Sequence, residues 1–228
     1  MHPYLFLSKI FEAVGLGHLA HEYPHVIYSW FVIALLLIVG FIATKRIAMV
    51  PSKIQNFFEL VISGLEEFVV DITGEEGRAF FPLLATIFIY ILVCNLLGLV
   101  PGFFPPTADI NTTLACALVV FVTTHYIGIK FHGVKYIKHF LGPVWWMIPL
   151  MLPLEIISHM SRVLSLTIRL FGNMAGHEIV VGILFLLAGA FFAPLPIMVL
   201  GVLVAVIQAF VFFLLAVIYF LGSLEHAH

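Results

Sequence analysis

Long apolar runs broken by short polar stretches dominate this chain. The run at 26–44 (VIYSWFVIALLLIVGFIAT) is long enough to cross roughly 30 Å of hydrocarbon as a helix. Two more runs of similar length predict spans at 80–100 and 112–131. Residues 51–73 read differently. Ile54, Phe57, Phe58, Val61, Leu65, Phe68 and Ile72 recur at helical spacing, with Glu59, Glu66, Glu67 and Asp71 largely off that stripe. Pro51-Ser52 is a suitable helix start. The segment predicts an amphipathic helix on the cytoplasmic face, serving either as a plain linker or as a docking site.

From Pro153 the pattern stays helical to about residue 190, roughly 55 Å of helix and nearly twice the hydrocarbon thickness. Such a helix either tilts strongly or lies partly outside the bilayer. Ala193-Pro-Leu-Pro196 predicts a turn on the outer side, and 197–221 a last helix. The fold expected is an all-α integral membrane protein. It forms one membrane domain over 1–228, with about five membrane-embedded helices, a long tilted C-terminal hairpin and one surface helix. No internal repeat of the kind that builds many secondary transporters is visible.

Charge sets the expected orientation. Lys45, Arg46 and Lys53 follow the first span, and Lys130, Lys135 and Lys138 follow the third, whereas the loop PGFFPPTADIN between spans two and three has no Lys or Arg. The positive-inside rule then puts the tail 1–25 outside and the C-terminus in the cytoplasm. His18, His21 and His25 of that tail read as solvated residues or as lining of an outer mouth. Asp109 and Asn111 read first as helix caps. Residues 1–24 lack a basic start and apolar core, so the first span itself is the expected targeting signal.

Composition agrees: 63% of residues are hydrophobic, only 10% are charged, and mean hydropathy is +1.17. A net charge of −2 without a basic cluster gives no support for nucleic-acid binding. Cys94 and Cys116 sit inside apolar runs with no metal-ligand spacing. No metal or cofactor is expected. His177-Glu178 lacks the second histidine of an HExxH zinc site. No nucleophile–base pair at close spacing supports an intramembrane enzyme either.

The costly residue is Arg169. A guanidinium at membrane depth costs roughly 2.5–3.5 kcal/mol on insertion scales, and it cannot shed its proton. At 100° per residue Ser158, Arg162, Ser165, Asn173 and Gly176 fall within about 40° of Arg169, with Glu155 on the same side. Gly172 and Gly176 make a small-xxx-small pair that lets another helix approach. Glu178 lies about 180° around and roughly 13 Å along the axis. It points to another face, where Gln208 and Asn95 can meet it. Two readings remain: an ion pair holding a helix bundle, or a fixed cation between two offset ion paths. Gln208 is either interhelical glue or a relay member, and His177 either a proton carrier near neutral pH or a pocket residue.

At these residues the chain resembles the a-subunit family of F-type ATP synthases. The stretches are SLTIRLFGNMAGHEIV in the long helix, QAFVFFLLAVIYF in the last helix and PPTADINTTLACAL leading into span three. The likeness covers essentially the whole chain. It implies a stator of a bacterial inner membrane, set against a rotating ring of c subunits that each carry a carboxylate. It implies b-type peripheral stalk subunits as partners too, and the F1 catalytic sector indirectly. Arg169 matches the family's arginine facing the ring. Glu178 and Gln208 match the outer proton half-channel, with Asn95 along it, and Glu155, Ser158, Ser165 and Asn173 match the inner side. Some relatives carry His or Glu where this chain has Gly201, and Gly where it has His177. The resemblance thus implies that His177 supplies an imidazole to the same pocket. The rival reading is a secondary ion transporter working alone.

Overall fold

The computed structural model describes residues 22–45, 53–100, 102–133, 136, 148–188 and 194–225. Expectations for the tail through His18 and His21, for Arg46, Pro51, Ser52, Lys135 and Lys138, and for 189–193 lie outside them. Among the described residues all regular structure is helical. The elements are α1 (Pro24–Thr44), α2 (Lys53–Thr73), a 3-10 turn (Glu75–Phe80), α3 (Phe81–Leu97), a second 3-10 turn (Pro106–Ala108), α4 (Ile110–His132), α5 (Ile148–Ala188) and α6 (Pro194–Glu225).

Among the described residues four stretches are long and apolar enough to cross a membrane: Pro24–Thr44, Glu75–Leu97, Ile110–His132 and Pro196–Leu224. The charged α5 is not in that set. It begins at Ile148, five residues before the start expected from Pro153. Proline lacks an N–H and would free the carbonyl four residues back, here that of Pro149. That carbonyl belongs to the first turn, so the helix survives. Pro149 itself lies in the same turn, where a helix needs no N–H from it. At 41 residues α5 is roughly 60 Å long.

The core lies between α3 and α6. Leu84, Phe88 and Ile91 of α3 meet Phe212, Phe213, Val217 and Phe220 of α6, all buried. The Phe88 and Phe213 rings are 5.5 Å apart, and Phe80 meets Phe220 at 6.1 Å. In lipid, helices associate through such close packing rather than through water release. Buried Ala205, Ala209 and Ala216 keep α6 slim at this seam.

Two expected surface features are more embedded than the pattern implied. The second half of α2 packs on α6, with Phe68 at 5.7 Å from Phe210 and Val69 fully buried. Its first half leaves Phe57 and Leu60 exposed. The outer loop also folds inward, since Phe104 and Thr107 are buried. The Tyr28 hydroxyl donates to the Gly102 carbonyl oxygen at 3.5 Å. Asp109 caps α4 as expected, accepting from the Asn111 backbone N–H at 2.8 Å. It also faces His25 Nδ1 at 3.3 Å, so His25 belongs to the start of α1 and is not a solvated tail residue.

Candidate functional site

α5 and α6 form the antiparallel hairpin that positions the polar side chains. Val163, Leu166, Leu170 and Met174 are the buried stripe of α5. They lie about 60–140° around the helix from Arg169, which leaves Arg169 at the exposed edge of the packed face. Among the described residues no carboxylate forms an ion pair with it. Ser161, Ser165, Ile168 and Gly172 are exposed beside it. A Cβ built on Gly172 or Gly176 would meet no atom within 4 Å. These glycines therefore serve no packing need among the described residues, and the stripe is open at Ser165, Arg169 and Gly172.

One turn beyond Arg169 the stripe touches α6. Asn173 Nδ2 donates to Gln208 Oε1 at 2.7 Å, and Gln208 is only 5% exposed. The family resemblance implies Asn173 on the inner side, and helical spacing points Glu178 to the opposite face, where Gln208 could meet it. The structure instead brings the two amides into direct contact, because α6 crosses α5 on the edge next to Arg169. Glu178 is half-buried on the other side, and no hydrogen bond or ion pair joins it to Gln208 or Asn95 among the described residues.

Asn95 is fully buried between helices. Its Nδ2 donates to the Ala205 carbonyl oxygen at 3.3 Å, and its Oδ1 accepts from the Thr107 hydroxyl at 2.8 Å. It thus ties α3, the second 3-10 turn and α6 together, one turn of α6 from Gln208. Sequence reasoning missed Thr107. A hydroxyl just before the Asp109 cap reads as another loop residue, and only the inward fold of the loop reveals its partner.

His177 and Gly201 do face each other. A Cβ on Gly201 would overlap the His177 imidazole at Nε2, and it would sit 2.6 Å from Leu99 Cδ2. His177 Nε2 lies 3.3 Å from the Ile197 carbonyl oxygen, which an N–H there would satisfy. The glycine is what gives the ring room.

Towards the start of α5, Glu155 Oε1 lies 3.3 Å from His159 Nε2, and Ser158 accepts through its carbonyl from the Ser161 hydroxyl at 2.7 Å. The Arg162 guanidinium lies 5.3 Å over the Tyr219 ring of α6, a cation–π contact. His159 also meets His125 of α4, a pairing across helices that helical spacing alone could not show. Among the described residues no cluster of three His, Cys, Asp or Glu side chains could hold a metal ion.

The fold is that of a helical membrane protein with a guanidinium on an open, small-residue helix face and no acidic partner for it among the described residues. A family model described as "ATP synthase A chain" matches residues 26–221. Among similar proteins, the ATP synthase subunit a of Desulfosudis oleivorans is 67% identical over 100% of this chain and 99% of its own length. That of Syntrophobacter fumaroxidans is 57% identical over 100% of this chain and 99% of its own length. That of Trichlorobacter lovleyi is 56% identical over the full length of both. The chain belongs to the ATP synthase subunit a family.

Proposed function

We propose that this chain is the stator of a rotary ATP synthase membrane sector, carrying protons along two offset half-channels against a ring of c subunits. It is a component of that complex and not an enzyme by itself. The observation that carries the reading is Arg169: exposed on α5, without an acidic partner among the described residues, beside glycines that leave open space. A permanent cation kept at that cost needs a counter-charge, and a ring carboxylate passing along the α5 face supplies one.

The mechanism follows from charge. On the outer path Glu178 and His177 exchange protons with water and pass one to a ring carboxylate, with Gln208 and Asn95 along the route. The carboxylic acid is neutral and faces lipid at small cost. After rotation it reaches the inner side, bounded by Ser165, Ser158 and Glu155, and ionises. Arg169 then attracts the carboxylate and repels a proton that would cross directly between the paths. The Asn173–Gln208 bond, one turn from Arg169, supports a junction of the two sides at that level. Each charge moved through 100 mV carries about 2.3 kcal/mol, so several protons drive one ATP.

In this reading b-type stalk subunits hold the chain against rotation and the F1 sector takes up the torque. The chain sits in a bacterial inner membrane with its N-terminus outside and its C-terminus cytoplasmic, as its Lys and Arg distribution supports. The test is Arg169→Ala in the assembled complex, in inverted membrane vesicles. ATP-driven proton pumping should vanish and a passive leak should open. Normal coupled pumping in that variant overturns the assignment. The purified chain reconstituted alone should transport nothing, whereas a self-sufficient transporter would turn over.

A further inference from the structure

Where α4 packs on the first part of α5, titratable side chains from both helices meet. Glu155 Oε1 is 3.3 Å from His159 Nε2. The His159 ring centre is 4.9 Å from that of His125 on α4, with the rings inclined at 63°. His125 Nδ1 lies 2.9 Å from the Phe121 carbonyl oxygen. A carbonyl accepts only from an N–H, so Nδ1 holds a proton and Nε2 is left to exchange one. Tyr136 stands edge-on to His125 at 6.1 Å. Gly128 admits that ring, since a Cβ there would overlap it. Burial pushes the Tyr136 phenol above its ordinary value, so it stays neutral and acts as a wall, not a base.

Further charged and aromatic neighbours among the described residues are Phe121, whose ring lies 4.2 Å from that of His125 and 6.4 Å from that of His159, Arg162 and, on α6, Tyr219. With His159 and Thr124 they line a cavity of about 10 Å³, room for one water molecule. Around α5, Glu155 lies about 40° from Arg169 and His159 about 80° on the same side. The set therefore turns away from the open stripe and into the α4–α5 seam.

We propose that Glu155, His159 and His125 form a proton relay that takes the inner path sideways from the α5 face into the α4–α5 seam. The relay rests on the stator reading above. A ring carboxylic acid gives its proton to water of the inner path; the Glu155 carboxylate, about 21 Å along α5 from Arg169, takes one up from that water and passes it to His159, forming an imidazolium. His159 gives up a proton to His125, and His125 releases one to inner water as hydronium. Each residue returns to its starting charge, and to its starting form once His159 has exchanged tautomers; ATP-driven pumping runs every transfer in reverse.

The test uses the whole ATP synthase in inverted vesicles, with the cytoplasmic side facing the bath. Pumping is read by dye quenching while the bath is varied over about pH 5.5–8.5, a range that brackets imidazole titration. His125→Gln with His159→Gln should slow pumping about ten-fold or more, the scale of a lost proton-transfer group. His159→Glu, which still carries a proton, should pump well above His159→Gln. A packing role predicts the reverse order, since Gln fits the seam without charge. The relay is overturned if the Gln variants keep the wild-type rate and pH profile, or if His159→Glu does no better than His159→Gln.

Should the double variant not assemble, the wild-type and His125→Gln complexes decide. The wild-type rate must bend in the imidazole range, and His125→Gln must shift that bend. An unshifted or absent bend overturns the relay. Arg169→Ala separates the two claims. Lost pumping there beside wild-type His variants removes the relay alone, while coupled pumping in Arg169→Ala removes the stator reading itself.

Discussion

Gly201→Ala adds a single methyl group where α6 meets α5. The new carbon would overlap His177 Nε2 and lie 2.8 Å from its Cε1 and 2.6 Å from Leu99 Cδ2. The imidazole must swing away, and its 3.3 Å contact with the Ile197 carbonyl oxygen is lost with it. Overpacking of this kind costs about 1–3 kcal/mol, and a lost hydrogen bond contributes about 1 kcal/mol of similar sign. All three atoms met are far ends of side chains, so rotation relieves part of the strain and a net of about 2 kcal/mol is expected. The clash with the ring exists only because the ring is there, whereas the 2.6 Å approach to Leu99 Cδ2 remains without it. In a His177→Ala background, Gly201→Ala should therefore cost less, by a coupling of about 1–2 kcal/mol for residues in contact. The assay is a double-mutant cycle on heat inactivation of the purified complex, with ATP-driven pumping measured alongside. If Gly201→Ala harms the two backgrounds equally, the packing argument fails. The exchange of both residues, His177→Gly with Gly201→His, returns an imidazole to the same space from the other helix. It should pump better than His177→Gly alone, and equal activity would show that the pocket is not shared in function.

Thr107→Val keeps the shape of the side chain but removes the donor that Asn95 Oδ1 accepts at 2.8 Å. With both residues fully buried, the orphaned acceptor should cost about 1–3 kcal/mol. Heat inactivation of the complex checks this, and Thr107→Ser should restore most of the loss. Phe68→Ala removes one ring that lies 5.7 Å from that of Phe210 and 6.3 Å from that of Phe213, contacts worth about 0.5–1.5 kcal/mol each beyond burial. Amide exchange in residues 65–73 should then quicken while α3 and α6 stay protected. Unchanged exchange in α2 would mean that the helix is held by something other than α6.

What the sequence showed and what it hid divide along physical lines. Spans were legible because twenty apolar residues in a row have few other uses. The outward direction of Arg169 was legible because angles around one helix follow from spacing alone. The facing of His177 and Gly201 was legible only through family resemblance, in which the residue types at the two positions exchange. Contacts between helices were not legible where nothing marks them. Asn173 reaches Gln208 because of where α6 crosses α5, and a crossing depends on packing at many points. Helix ends were blurred for a local reason: Pro153 reads as a start, yet a proline in the first turns is tolerated one turn further in. The inward fold of the outer loop was hidden because Phe104 and Thr107 sit in a segment whose prolines and polar residues read as exposed.

The open stripe of α5 also has a mechanical meaning. Helices that pack permanently do so by setting ridges of side chains into grooves, and such teeth resist sliding. Gly172 and Gly176 raise no ridge, and the serines beside Arg169 raise only low ones. A surface moving past this face would meet little corrugation and one strong electrostatic anchor. Smoothness would keep friction low, and the guanidinium would set where each step comes to rest.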